Sequence, residues 1–293
     1  MNTSKTKLIR VGHSPDPDDA FMFYALAHEK IDMRGFKVEH VIEDIESLNQ
    51  RALKGELEVT AVSCHAYAYL SDKYLVMRSG ASVGDNYGPI LVRSRESGAG
   101  SKKTKLRIAV PGKLTTAYLA LQLYAKTEGC SPNSELRAPY DVVFVSFDKV
   151  FDAVKSGQAD LGLIIHEGQI TYEKHGMELA VDLGKWWQET TRLPLPLGID
   201  IIRRDLGGET IRAFSKLFKE SIEYALNHRK EALEYASQFG RGIAADLNDR
   251  FVAMYVNDRT VDIGADGEAG FRLLLDKAYE NGIIPKKIKL EFI

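Results

Sequence analysis

Three short segments carry side chains suited to moving a proton or holding an anion. His166 follows Leu161-Gly162-Leu163-Ile164-Ile165, a run whose composition marks a buried strand. An imidazole ordinarily titrates near ~6.5, so one placed just past a strand end is suited to proton transfer at neutral pH. The same placement also suits a structural histidine that only hydrogen-bonds the strand end. Pro111-Gly112-Lys113-Leu114-Thr115-Thr116 joins a strand to a helix. Gly112 admits close backbone approach, and free amides at the helix start favour a carboxylate or phosphate. Thr115 and Thr116 add hydroxyl donors there, or one of them simply caps the helix. In Ser14-Pro15-Asp16-Pro17-Asp18-Asp19 the three acids have the chemistry to hold magnesium. At a helix start, however, acids more often cap it and offset its dipole, which is the preferred reading.

Other pairings fail on spacing. Cys64 and His65 are adjacent, and neighbours on a helix point about 100° apart, so they do not form a nucleophilic dyad. His166-Glu167 lacks the second histidine of HExxH, which leaves no metal motif, and His175 in the same loop reads as solvated. Gly98, Gly100 and Lys102 do not meet the spacing of a phosphate loop. Trp186-Trp187 and Pro194-Leu195-Pro196-Leu197 read as a helix packed beside a crossover.

The elements that must position these groups alternate strand and helix. Lys7 to Val11 reads as a strand, and Asp16 is placed to cap a helix with Pro17 at its first position. Phe21, Tyr24, Ala25 and His28 mark one face of that helix. Phe36 to His40 alternates as a strand, Asp44 caps a helix that Gly55 ends, Val59 to Val62 is a third strand, and Ser63 starts a further helix. A second series follows: strand 106–110, helix 115–126, strand 142–145, helix 149–155, strand 161–165. Leu48, Gly55, Glu58 and Val62 recur as Val150, Gly157, Asp160 and Ile164, each 102 positions on. A strand from Gly198 to Arg203 leads back, and a long amphipathic helix carries Ile211, Phe214, Leu217, Phe218, Ile222 and Ala225 on one face.

This order predicts an α/β protein of two lobes, each with a central mixed sheet flanked by helices. Lobe 1 takes residues 1–95 and 200–293, lobe 2 takes 105–197, and 96–104 with 198–199 form the crossovers. The polar, glycine-rich stretch from Ser94 to Thr104 supports the first crossover. In open parallel sheets, ligands bind beyond the carboxyl ends of the strands. That rule selects His13 to Asp19, Ser63 to His65, Pro111 to Thr116 and the chain from His166 onward, with the ligand in the cleft between lobes.

Composition narrows the partners. Hydrophobic residues make up 44% and charged residues 27% of 293, ordinary for a packed globular chain. Lys and Arg number 39 against 41 Asp and Glu, so no overall basic surplus favours nucleic acid or an anionic membrane. No run approaches the ~18 apolar residues of a membrane helix. Met1 to Lys7 runs straight into a strand with no apolar signal segment, and the only cysteines are Cys64 and Cys130. A cytoplasmic protein is expected, as monomer or homodimer, with a small anionic molecule as its partner.

The segments Ser14-Pro15-Asp16-Pro17-Asp18-Asp19, Val110-Pro111-Gly112 through Thr115-Thr116-Ala117-Tyr118, Ile164-Ile165-His166-Glu167 and Leu193-Pro194-Leu195-Pro196-Leu197-Gly198 resemble the 1,4-dihydroxy-6-naphthoate synthase family. The resemblance runs in order from the N-terminus to about residue 285. It implies the type 2 periplasmic-binding-protein fold, used without export as a carbon–carbon lyase of the futalosine route to menaquinone. The implied substrate is cyclic dehypoxanthine futalosine, with no metal and no organic cofactor. The resemblance makes His166 the general base and places substrate binding at Ala61, Val62, Ser63, Thr115 and Thr116. Ala61 and Val62 offer only backbone groups, so contact there rests on Ser63. Ser14, Asp19 and Gly112 complete the candidate binding set. Chorismate dehydratase, a sister enzyme of the same pathway, is the nearest alternative, and the Ile165-His166-Glu167 segment favours the synthase. A non-catalytic small-anion binding protein is the alternative of another class. The missing signal segment argues against a transport receptor, and a ligand sensor would need an effector segment that is not visible.

Overall fold

A computed structural model of the chain describes residues 6–97, 105–128, 136, 139–240 and 245–293. The chain divides into two compact units. The first takes Met1–Val83, Gly198–Glu268 and Ile288–Ile293, and the second takes Gly84–Leu197 and Ala269–Lys287.

The first unit opens with β1 (Lys7–His13), α1 (Pro17–Ala27), β2 (Phe36–Ile42), α2 (Ile45–Lys54), β3 (Val59–Ser63), the one-turn α3 (Cys64–Tyr67) and β4 (Tyr74–Val76). The short β5 (Ser82–Gly84) spans the first passage between units. The second unit contains β6 (Ile90–Ser94), β7 (Leu106–Val110), α4 (Thr116–Thr127), β8 (Tyr140–Phe144), α5 (Val150–Lys155), β9 (Leu161–Ile164), α6 (Gly168–Thr171), β10 (Met177–Asp182) and α7 (Leu183–Thr191). The strand β11 (Leu195–Arg203) returns the chain to the first unit. There follow α8 (Gly208–Asn227), α9 (Arg229–Ala236), α10 (Ala245–Tyr255), α11 (Asp258–Val261) and α12 (Gly264–Glu280).

The main path of the first sheet is β2-β1-β3-β11-β4, and the second sheet reads β8-β7-β9-β6-β10. In each, three strands from consecutive strand–helix units run parallel. In each, the fourth strand is antiparallel to the third: β11 against β3, and β6 against β9. The two units therefore share one topology, and the repeat at 102 positions has a physical basis. Gly55 and Gly157 both adopt positive φ, 73° and 71°, where a side chain would be strained. The acid just before the third strand then accepts the backbone N–H of an arginine on the first strand. Glu58 does this for Arg10 at 3.0 Å, and Asp160 for Arg107 at 2.8 Å.

Helices cover both faces of each sheet, because strands flanked on both sides must be apolar on both sides. In the first unit Ile9 and Val11 pack with α1 and α8 through Phe21, Phe23, Phe214 and Phe218, while Leu48 of α2 packs with Leu57 and Ala61. In the second, Ile108 and Val110 pack with Ala117, Ala120 and Leu121 of α4, while Ala109 packs with Val150, Ala153 and Val154 of α5. The alternation within β7 thus decides which helix each residue meets.

The unit boundaries differ from those read from composition. The first passage falls at Val83–Gly84 rather than at 96–104, because β6 already pairs with β9 and β10. Residues 269–287, expected in lobe 1, belong to the second unit. Within it, a Cβ on Gly270 of α12 would stand 2.4 Å from the Pro194 carbonyl, so that turn packs directly on the proline segment. Gly98, Gly100, Lys102 and Cys130, with most of the expected crossover, lie outside the described residues. The α1 helix also departs from its expected single face: every residue from Pro17 to Leu26 is buried, and His28 lies beyond its end.

Candidate active site

The topology brings the candidate segments together in pairs, one pair in each unit. In the first unit β1 and β3 are neighbours, so His13–Asp19 and Ser63–His65 extend from adjacent carboxyl ends. In the second, β7 and β9 are neighbours, so Pro111–Thr116 and His166 do the same.

His166 stands two residues past β9 with φ 54°. Left-handed backbone at a residue with a Cβ costs about 1–2 kcal/mol. The chain bears that strain where it turns from β9 into α6. The His166 carbonyl accepts the Gln169 N–H at 3.1 Å, and the half-buried ring meets Phe147 edge-on with centroids 5.2 Å apart. Sequence pattern alone gives no sign of this strain. His175 is exposed, as expected, and its ring stacks on Phe151 with centroids 4.2 Å apart; partial burial followed by the charge of Lys155 moves its pKa down.

The threonine pair is bonded internally. Thr115 caps α4: its Oγ1 accepts the Tyr118 N–H at 3.2 Å and donates to the Gly112 carbonyl at 3.0 Å. Thr116 Oγ1 donates to the Leu197 carbonyl at 2.5 Å. Both hydroxyl hydrogens are therefore directed at main chain, and the expected hydroxyl donors are not what this turn offers. What it offers is the N–H groups of Thr116 and Ala117, which have no partner inside a helix at these positions. Gly112 contributes its carbonyl, and its φ is not left-handed.

Ser63 is gripped by a residue that the sequence reading missed. Asn49 of α2, fully buried, accepts the Ser63 N–H at 2.9 Å and donates to Ser63 Oγ at 3.2 Å. The serine hydroxyl hydrogen remains free to donate elsewhere. Ser63 begins α3 without a side-chain capping bond, because its oxygen faces Asn49 instead. Ala61 and Val62 beside it are buried strand residues.

The acidic loop folds back on itself. Ser14 donates its hydroxyl to Asp16 at 2.7 Å and its backbone N–H to Asp19 at 2.6 Å. Asp16 occupies the cap position of α1 without a side-chain capping bond, so its expected capping role is replaced by this serine bridge. Burial, then the charges of Asp19 and Asp16, push Asp18 well above the usual carboxylate range. Among the described residues no group of three or more His, Cys, Asp or Glu is arranged to hold a metal ion.

Next to the loop, His13 Nε2 lies 3.0 Å from His40 Nδ1, and His13 Nδ1 lies 3.1 Å from the Ser14 carbonyl. The carbonyl can only accept, so His13 donates from Nδ1 and receives the His40 proton at Nε2. Burial and then the facing His40 bring His13 down to about 3. Burial and then His28 bring His40 down to about 4. Both rings are neutral at physiological pH.

Solved structures below a quarter identity match more than nine-tenths of the chain. One is the alkanesulfonate-binding protein SsuA from Xanthomonas axonopodis pv. citri bound to MOPS: TM-score 0.69, 14% identity, covering 98% of this chain and 97% of that one. With the two mixed sheets, such neighbours define a type 2 periplasmic-binding-protein-like α/β fold. A family model described as menaquinone biosynthesis matches residues 9–280, and the chain belongs to that family. The 1,4-dihydroxy-6-naphtoate synthase of Thermus thermophilus is 40% identical over 94% of this chain and 95% of its own length. Protein AF1704 from Archaeoglobus fulgidus has a crystal structure with TM-score 0.85 and 45% identity, covering 94% of this chain and 98% of that one. The role in menaquinone biosynthesis stands on these relatives. Among the described residues no helix is long and apolar enough to cross a membrane.

Proposed function

We propose that this chain is a carbon–carbon lyase that converts cyclic dehypoxanthine futalosine to 1,4-dihydroxy-6-naphthoate, with His166 as general base. The observation that carries the reading is His166 itself: an imidazole held in left-handed backbone at a strand end, in a relative of a naphthoate synthase. Strain of this kind persists where the surroundings impose it, and it collects at functional sites. The His166 imidazole takes a proton from carbon next to a carbonyl. The electron pair left behind forms a ring double bond as a carbon–carbon bond breaks. The pair of the broken bond leaves with the sugar-derived fragment, which takes up the proton held by the imidazolium, and aromatisation of the naphthoate ring makes the step downhill.

The anionic end of the substrate suits the Thr116 and Ala117 amides, where the helix dipole adds to two N–H donors. Thr115 then acts by fixing the turn, and Thr116 by fixing its own backbone to Leu197. Ser63, oriented by Asn49, keeps a hydroxyl hydrogen available to a ligand. The purified chain, given cyclic dehypoxanthine futalosine, is expected to release 1,4-dihydroxy-6-naphthoate, and His166→Ala to bind the substrate without turning it over. Binding by the wild type with no product would make the chain a small-anion binding protein instead.

A further inference from the structure

Asp200 is a buried acid that neither the caps nor the ion pairs of the first unit use. It lies on β11 directly opposite Ala61 of β3, while Gly198 lies opposite Ser63, so it borders the Ala61–Ser63 binding candidates. It is 1% exposed, and its Oδ1 is buried with no hydrogen-bond partner. Such groups are rare in folded proteins, because a lost hydrogen bond to water is not replaced. The space around the carboxyl is guarded by Gly80. A Cβ there would stand 2.1 Å from Asp200 Oδ2 and 2.6 Å from the Phe218 ring, and φ at Gly80 is 92°.

The surroundings select what can approach. Burial, and then the charge of Asp19, push Asp200 well above the ordinary carboxylate range, which favours its protonated form. A neutral carboxyl both donates and accepts, which matches an alcohol. Asp18, in the acidic loop after β1 and next to Asp19, also has a buried Oδ1 without a partner. Asp16 and Asp19 add acid to the same loop. A ligand carboxylate is disfavoured beside Asp200 and the charge of Asp19, whereas hydroxyl groups are not.

We propose that Asp200 is a further substrate-positioning residue, whose unpartnered carboxyl oxygen takes a hydroxyl group from the ribose-derived part of the ligand. The inference rests on the substrate named above and adds to it the group that holds the hydroxyl-bearing end.

The test compares two compounds by calorimetry: cyclic dehypoxanthine futalosine, which carries ribose-derived hydroxyls, and 1,4-dihydroxy-6-naphthoate, which lacks that part. Asp200→Ala is expected to weaken the first by about tenfold or more and the second by less than about twofold. Asp200→Asn, which keeps a donor and an acceptor, is expected to restore most of the affinity for the first. The thermal midpoint of Asp200→Ala should not fall, since an orphaned buried group has been removed. Asp200→Ser, too short to reach, serves as the second variant if the alanine chain does not fold. Equal weakening for both compounds would show a merely structural residue and overturn the inference. No weakening for either would show that the carboxyl meets only buried water, and would overturn it too. Wild type that turns the substrate over while Asp200→Ala binds it normally would sink this inference alone. Wild type that binds neither compound would remove the substrate assignment and the inference with it.

Discussion

Replacing His166 with glycine and with alanine separates its chemistry from its backbone. Both substitutions delete the imidazole, so both should lower turnover by roughly 10²–10⁴, the usual contribution of a positioned general base. Their effects on stability should differ in a direction fixed by φ 54°. Alanine keeps a Cβ in left-handed backbone and retains the strain of about 1–2 kcal/mol, which glycine relieves. Glycine also makes the unfolded chain more flexible, which takes back about 0.5–1 kcal/mol. The net expectation is that His166→Gly is more stable than His166→Ala by up to about 1.5 kcal/mol. Urea unfolding followed by tryptophan fluorescence would read the second quantity, and single-turnover release of the naphthoate the first. Turnover within about threefold of wild type in both variants would refute the base. Lower stability for glycine than for alanine would refute the strain argument, whatever the turnover.

Asn49→Ala should leave the buried Ser63 N–H unsatisfied, costing about 1–3 kcal/mol in unfolding experiments and raising KM by freeing the serine from its orientation. Gly184→Ala should destabilise the second unit by about 1–3 kcal/mol or more in the same assay, because the new Cβ would stand 2.1 Å from the Tyr87 backbone. The neutral His13–His40 pair makes the fold acid-sensitive. Their folded pKa values of about 3 and about 4 lie below the ordinary 6.5, so their contribution is full above 6.5 and is lost as pH falls toward 4 and then 3. His13→Gln and His40→Gln should each flatten the pH dependence of the thermal midpoint across that window, and an unchanged slope in both would remove the pair as its cause.

Local order was legible because its causes are local. Asp44 caps α2 as its position before Ile45 requires, accepting the Glu46 and Ser47 N–H groups at 3.1 Å each, and Gly55 ends the helix in left-handed backbone. The apolar stripe of α8 is buried at each of Ile211, Phe214, Leu217, Phe218, Ile222 and Ala225. Trp187 is core, as expected, with its indole donating to the Pro194 carbonyl at 3.2 Å. The offset of 102 positions was a true trace of shared topology, because turns and strand starts need the same glycine and the same acid in both units.

From its sequence the chain determines the alternation of strand and helix, most helix ends and the strand-end positions where reactive groups stand, since periodicity and capping act within a few residues. Only the tertiary structure decides which strands become neighbours. It carries the chain into the second sheet by β6, ahead of the glycine-rich stretch, and it sets Asp200 opposite Ala61 across 139 positions of sequence. It also turns the Thr115 and Thr116 hydroxyls toward carbonyls and places Asn49 against Ser63. Hydrogen bonds between residues far apart in the chain depend on register and burial, and neither is written in any local run of side chains.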